Sequence, residues 1–236
     1  DVAGNKQTCT QIVKVVGPIK PNNDVVSING YPGGTAVSDV LANDLLNCNA
    51  VVRSEVALTL ASVLPSVLTF DAATGAVTVK PNTPAGTYSF DYKICEVANT
   101  SNCNTATVEI KVTAPAILAV KEDLGPINGT TGGTTTSLIA SDTFNGVQAV
   151  IGSNAGEVTL TGTAPAGLTI NSDGTVTVDK GVKAGNYNVE YTICDNNNLS
   201  NCDTVTSTVP VTAGILVANA DPIPSVTGSN VSQTLG

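Results

Sequence analysis

Slid against itself, the chain aligns at one dominant offset. Cys95 and Cys194, Cys103 and Cys202, Tyr88 and Tyr187, and Ile94 and Ile193 are each 99 residues apart. The stretch SVLTFDAATGAVTVKPNTPAGTYSFDYKIC lies over AGLTINSDGTVTVDKGVKAGNYNVEYTIC almost without adjustment. Upstream, VSDVLANDLLNCNAVV lies over TTSLIASDTFNGVQAV at an offset of 98. Agreement over this length marks a tandem duplication. A unit near 100 residues is large enough to bury a core of its own. The period divides the chain into four expected segments. Residues 1–16 match the end of a preceding copy, residues 17–114 and 115–213 are two full copies, and residues 214–236 begin a following one. The chain is expected to be a window on a longer array.

Inside each copy the hydrophobic period is two. In TYSFDYKIC, Tyr88, Phe90, Tyr92 and Ile94 share one face, and Ser89, Asp91 and Lys93 share the other. NYNVEYTIC repeats the pattern with Tyr187, Val189, Tyr191 and Ile193 inward. Such alternation marks a strand with one buried face. Further strands are expected at 25–29, 36–41, 50–52, 56–61, 67–70, 76–80 and 105–113, with counterparts in the second copy. Turns are expected at NGYPGG, NDLLN, DAATG and NTPAG. About seven short strands per copy predict an all-β chain of tandem antiparallel Ig-like β-sandwiches stacked end to end. In PAGTY and KAGNY a Gly stands two residues before a Tyr at the start of an apolar strand. That places Tyr88 and Tyr187 as tyrosine corners, with rings in the core and hydroxyls returned to nearby backbone.

The cysteines extend the repeat. Cys95 ends one strand and Cys103 begins the next, and Cys194 and Cys202 do the same in the second copy. Each pair is expected to close a hairpin as a structural disulfide, which implies an oxidising compartment. A redox-active pair needs adjacent thiols and a depressed pKa, and this spacing argues against it. Cys9 matches Cys103 and Cys202, with its expected partner ahead of Asp1. Cys48 has no counterpart. Cys9 and Cys48 either bridge between repeats or stay unbridged.

Composition narrows the function. The net charge is −9, with one arginine, Arg53, and no histidine. Nucleic-acid binding needs clustered Lys and Arg, and this sequence has no such cluster. Anionic membrane surfaces are disfavoured for the same reason. No apolar run approaches the 18–20 residues of a membrane span, and the sequence carries no segment with the pattern of a secretory leader. Catalysis is not expected. Histidine is not available as a general base, and the acids are spread along turns rather than paired.

The motifs VLANDLLN, GAVTVKPNTPAGTY and YKICEVANTSNCNTATVEIKVTAP resemble the tandem Ig-like or cadherin-like repeats of giant Bacteroidota cell-surface adhesins. Among these, the motifs resemble the SprB-like gliding-motility adhesins. The resemblance covers both copies and both fragments. It implies an extracellular filament anchored at the bacterial outer membrane, exported by type IX secretion and serving adhesion or gliding motility. The partners it implies are neighbouring repeats of the same polypeptide and a surface glycan or protein.

Cadherin-like repeats also hold Ca²⁺ between acidic and carbonyl ligands at their junctions. Asp24, Asp123 and Asp221 are the candidate ligands here. The competing reading gives such turn residues to local backbone hydrogen bonds. No organic cofactor is implied. DTV at 203–205 resembles the Bacteroidota O-glycosylation acceptor and makes Thr204 a candidate. Two alternatives to a structural stalk stay open: a binding module whose loops recognise a glycan or protein, and a fibre subunit that exchanges strands between chains. The junction sequences VTAPAILAV and VTAGILVAN carry apolar residues suited to packing between neighbours.

Overall fold

The computed structural model describes residues 17–219 and Gly228. Cys9 and Asp221, the segment 1–16 and nearly all of 220–236 lie outside the described residues.

Residues 17–114 carry ten strands: β1 (Ile19–Lys20), β2 (Asp24–Asn29), β3 (Gly34–Val37), β4 (Leu45–Leu46), β5 (Asn49–Ala50), β6 (Val56–Leu60), β7 (Leu68–Asp71), β8 (Ala76–Val79), β9 (Gly86–Glu96) and β10 (Asn99–Thr113). Residues 115–213 repeat the order as β11 (Ile117–Leu118), β12 (Ile127–Asn128), β13 (Gly133–Thr134), β14 (Thr143–Phe144), β15 (Val147–Gln148), β16 (Val158–Thr163), β17 (Leu168–Ile170), β18 (Val176–Val178), β19 (Gly185–Asp195) and β20 (Asn198–Thr212). In the first set, β2-β10-β9-β6 form one sheet, β3-β8-β7 face it, and β1-β4-β5 close one end. The second set has the same three sheets, β12-β20-β19-β16, β13-β18-β17 and β11-β14-β15. Two separate apolar clusters fill them, one from Ile19 to Val112 and one from Ala119 to Val211.

The alternation read from the sequence builds the long hairpin. Phe90, Tyr92 and Ile94 of β9 and Ala106, Val108, Ile110 and Val112 of β10 are buried, while Lys93, Glu109 and Lys111 point outward. Each large side chain removed from water contributes about 1.5–3 kcal/mol. Most ladders are antiparallel. The exceptions are β2 with β10, parallel from Val108↔Asp24 to Thr113↔Asn29, and its counterpart β12 with β20.

Four stretches differ from the expected strands. The segment 50–52 is in a ladder only at Ala50, the end of β5, with Val51 and Val52 beyond it. β10 begins at Asn99 rather than 105, because the polar NTSNCN segment continues the hairpin ladder after a register shift. The segment 36–41 leaves the sheet after Val37. The Val40 amide donates to the Gly75 carbonyl (3.0 Å) and the Leu41 amide to Asp39 Oδ1 (3.0 Å), which turns Val40 and Leu41 into the core. NDLLN contains β4, paired with β1, as well as the turn.

Candidate functional site

Two groups of polar and aromatic side chains stand apart from ordinary core. The first occurs in both sandwiches. The hydroxyl of Tyr92 lies 3.0 Å from each carboxylate oxygen of Asp44, 3.1 Å from the Asn22 carbonyl and 3.2 Å from the Val40 carbonyl. Tyr191 repeats this with Asp142 Oδ1 at 3.1 Å, Val120 O at 2.9 Å and Leu138 O at 2.6 Å. Both tyrosines are fully buried and both aspartates nearly so. The Asn22 amide donates to Asp44 Oδ1 (2.7 Å), and the Val120 amide to Asp142 Oδ1 (2.7 Å). Burial raises both carboxyls above the usual carboxylate range, against the pull of these hydrogen bonds. Burial also raises both phenols, with the neighbouring aspartate adding to it. One hydroxyl hydrogen cannot serve carboxyl and carbonyl acceptors together. In the first unit a protonated carboxyl would supply the second hydrogen, in keeping with the upward shift; in the second, Asp142 Oδ2 is buried without a partner. The unit pins the loop carrying Asp44 or Asp142 to the central strand.

The second group joins the sandwiches. β10 ends at Thr113 and β11 begins at Ile117, so only residues 114–116 link them. Beside this link, the turn after β2 projects from the first sandwich into the second. Asn29 Oδ1 accepts from the Tyr31 amide (3.0 Å), and Asn29 Nδ2 donates to Asn145 Oδ1 (2.8 Å). The Tyr31 ring meets Phe144 edge-on, with centroids 4.8 Å apart and planes at 90°. Such an aromatic pair adds about 0.5–1.5 kcal/mol beyond its burial. The turn is held from behind: Gly30 donates to the Thr113 carbonyl, Thr83 to the Gly30 carbonyl and Asn82 to the Tyr31 carbonyl. The receiving side is held as well, since the Asn145 amide donates to the Ala116 carbonyl (2.7 Å). Gly156, at φ +86°, lies under the tyrosine, where any Cβ would collide with Tyr31 Oη. Pro84, Ala85, Ala114, Pro115, Asp195 and Asn197 flank a narrow crevice behind the ring.

The residues singled out from sequence are placed as follows. Cys95 and Cys103 lie directly opposite each other on β9 and β10 and are bonded, as are Cys194 and Cys202 on β19 and β20. Cys48 is exposed and has no disulfide partner among the described residues. Tyr88 donates to the Pro84 carbonyl (3.0 Å) and Tyr187 to the Lys183 carbonyl (2.9 Å), with both rings against the cores. Asp24 accepts from Asn43 Nδ2 (3.3 Å), and its other carboxylate oxygen is buried without a partner. Burial first, then the charges of Asp44 and Asp39, push its pKa up to about 7. Asp123 is exposed and accepts from the Gly125 amide (3.1 Å), a local turn bond. Asp123 bridges Thr208 as Val25 pairs with Glu109, so Glu122, not Asp123, occupies the place of Asp24 in the second sandwich. Among the described residues, no group of three or more His, Cys, Asp or Glu side chains is placed to hold a metal. Thr204 is exposed on β20 opposite Thr192, with the two hydroxyls 2.7 Å apart. No described helix is long and apolar enough to cross a membrane.

Sequence reading did not find the Tyr92–Asp44 unit, although Asp44 and Asp142 recur at offset 98 and Tyr92 and Tyr191 at 99. It placed Tyr31 only within the expected NGYPGG turn, and the partner of that ring, Phe144, comes from the other copy.

No protein-family model matches the chain, and no curated protein matches it. Among solved structures, mouse cadherin-23 EC22-24 aligns at 16% identity, covering 84% of this chain and 65% of that one, with a TM-score of 0.34. Human protocadherin-24 EC1-2 aligns at 14% identity, covering 85% of this chain and 100% of that one, with a TM-score of 0.33. The human desmocollin-1 ectodomain aligns at 9% identity, covering 84% of this chain and 42% of that one, with a TM-score of 0.35. The chain thus spans less than two thirds of the cadherin-23 and desmocollin-1 chains it aligns with.

Proposed function

We propose that this chain is part of the stalk of an extracellular adhesin, a row of clipped sandwiches that holds a binding element away from a bacterial cell surface. The observation that carries the reading is the junction. Three linking residues, the Asn29–Asn145 bond and the Tyr31–Phe144 contact fasten one sandwich directly onto the next. A spacer gains reach from such neighbour interfaces, because they limit bending between units. Disulfides in both copies suit an oxidising exterior. The segments 17–114 and 115–213 are the repeating units. Ile215, Leu216 and Val217, which are 90%, 100% and 75% exposed, stand where Ile117 and Leu118 form β11, and we assign them to the first strand of a following unit. Adhesion or gliding, outer-membrane anchoring and type IX export extend the reading through the adhesin resemblance.

Two measurements test it. Antibodies against the chain should label intact, unpermeabilised cells that make it. Small-angle scattering should give the dimensions of an extended two-sandwich rod, and Tyr31→Ala should broaden its length distribution. Labelling only after permeabilisation would overturn the location. Scattering unchanged by Tyr31→Ala would overturn the stiff junction.

A further inference from the structure

The receiving surface of the second sandwich has a counterpart on the first. Strand register fixes the correspondence. Leu46 pairs with Ile19 as Phe144 pairs with Ile117, so Asn47 matches Asn145 and Cys48 matches Gly146. Glu96 pairs with Val56 as Asp195 pairs with Val158, so Ser54 matches Gly156 two residues upstream. These residues line one open cup of about 380 Å³, with Leu46, Asn47, Ser54, Glu55, Glu96 and Val97 on its wall.

The projecting turn has a counterpart too, at the far end of the second sandwich. The Thr130 amide donates to Asn128 Oδ1 (2.8 Å), as Tyr31 does to Asn29. Gly129 donates to the Thr212 carbonyl (2.9 Å), as Gly30 does to Thr113, while the Gly129 carbonyl accepts from Gly181 (2.7 Å), one residue ahead of the counterpart of Thr83. The plug is therefore anchored to the same final strand and differs at its tip, which is Thr130 in place of Tyr31.

Plug and cup differ from the internal junction in matched ways. Where Tyr31 lies over Gly156 and against Phe144, the first cup offers Ser54 and Leu46. The first cup thus lacks both the glycine and the aromatic ring that receive Tyr31 at the internal junction. The flanking loops match in charge as well. Pro84 stands beside the Tyr31 plug, and its counterpart beside the Thr130 plug is the exposed Lys183. Lys183 would face a cup lined by Glu55 and Glu96.

The geometry points to a second, head-to-tail junction, in which the Asn128–Gly133 turn of one copy of this chain seats in the Leu46–Asn47–Ser54 cup of another, with Lys183 against Glu55 and Glu96. It rests on the stalk reading only for the direction of stacking. The two junctions are not interchangeable, so units of the first and second kind alternate along the row.

Cys48 reports on the contact, because its counterpart Gly146 directly follows Asn145, the residue that receives the Asn29 bond. The chain carrying Cys9→Ser and Thr130→Cys is oxidised at about millimolar concentration and its disulfides are mapped by mass spectrometry. The expected product is a ladder joined between Cys48 and the cysteine introduced at 130. Lys183→Glu should slow the ladder about three- to fivefold, the effect of one partly exposed ion pair, and Glu55→Lys added to it should restore the rate. Ser54→Trp should abolish the ladder by filling the cup. A control with Thr161→Cys, on the exposed edge of β16, should give no ladder. Failure to find the Cys48 linkage, or a linkage no faster than the control, overturns the contact. A chain that scatters as a rod but does not cross-link refutes this junction alone; one that cross-links but does not label intact cells refutes the stalk alone.

Discussion

Tyr92→Phe removes one oxygen atom from the first sandwich and nothing from its shape. That oxygen lies within 3.0–3.2 Å of Asp44 and of the Asn22 and Val40 carbonyls, at a site closed to water. Its loss leaves buried acceptors without their donor, a defect that costs about 1–3 kcal/mol. The cost depends on the charge of Asp44. Burial holds the folded-state pKa of Asp44 above its unfolded value, so the native state binds the proton more tightly and this group's contribution to stability falls as pH rises. Below that raised pKa a protonated Asp44 keeps a hydrogen of its own at the site, and the expected loss is about 1 kcal/mol. Above it, a carboxylate that has lost its phenol donor raises the loss to about 2 kcal/mol, a drop of roughly 8–16 °C in the melting temperature of a domain this size. Urea or thermal unfolding of the full chain followed across the pH range reads this directly. Tyr191→Phe should act alike on the second sandwich, and the two losses should add because the sites are far apart and share no partner. A loss below about 0.5 kcal/mol throughout, or a loss that does not change with pH, would refute the idea that a shared proton holds Asp44.

Asp24→Asn should stabilise the chain at pH 8 and flatten its stability between pH 8 and 5. The folded-state pKa of Asp24 is raised to about 7, so the native carboxylate is a liability above that pH and the liability fades as pH falls towards 4; unfolding midpoints across that range check it, and a profile unchanged by the substitution would contradict the assignment. Reduction of both disulfides, or paired Cys→Ser substitution, should cost each sandwich about 2.5 kcal/mol by loop entropy. In single-molecule stretching it should lengthen each unfolding step by about 24 Å, the reach of eight residues less the span of the bridge.

The sandwiches were legible because their information is local. Alternation in TYSFDYKIC names the inward face without knowledge of any partner strand, and the paired cysteines mark the hairpin. The length of β10 was not legible, since NTSNCN has the composition of a loop and is held as a ladder by the strand beside it. The turn at 38–41 was read as strand because Val40 and Leu41 are apolar, and their burial follows from hydrogen bonds to Gly75 and Asp39. Asp44 falls in the expected NDLLN turn, and only the fold brings it to Tyr92, 48 residues away. The junction was hidden for the same reason. Tyr31 and Phe144 are far apart in sequence and belong to different copies, so no repeat pattern links them. The position of Gly156 carries the clearest trace, a glycine where the first copy has Ser54.

The parallel pairing of β2 with β10 bears on what happens when the row is pulled. Past the two-residue β1, the chain runs into the first sandwich along β2 and leaves it along the neighbouring β10, which runs the same way, so tension that has freed β1 loads six residue pairs in shear and must break their bonds together. Opposed strands pulled from one end would instead peel one bond at a time. The second sandwich has only two such pairs between β12 and β20, helped by a lone bridge at Asp123 and Thr208. Under rising load the second unit should yield first and act as a fuse, while the first keeps the tether intact.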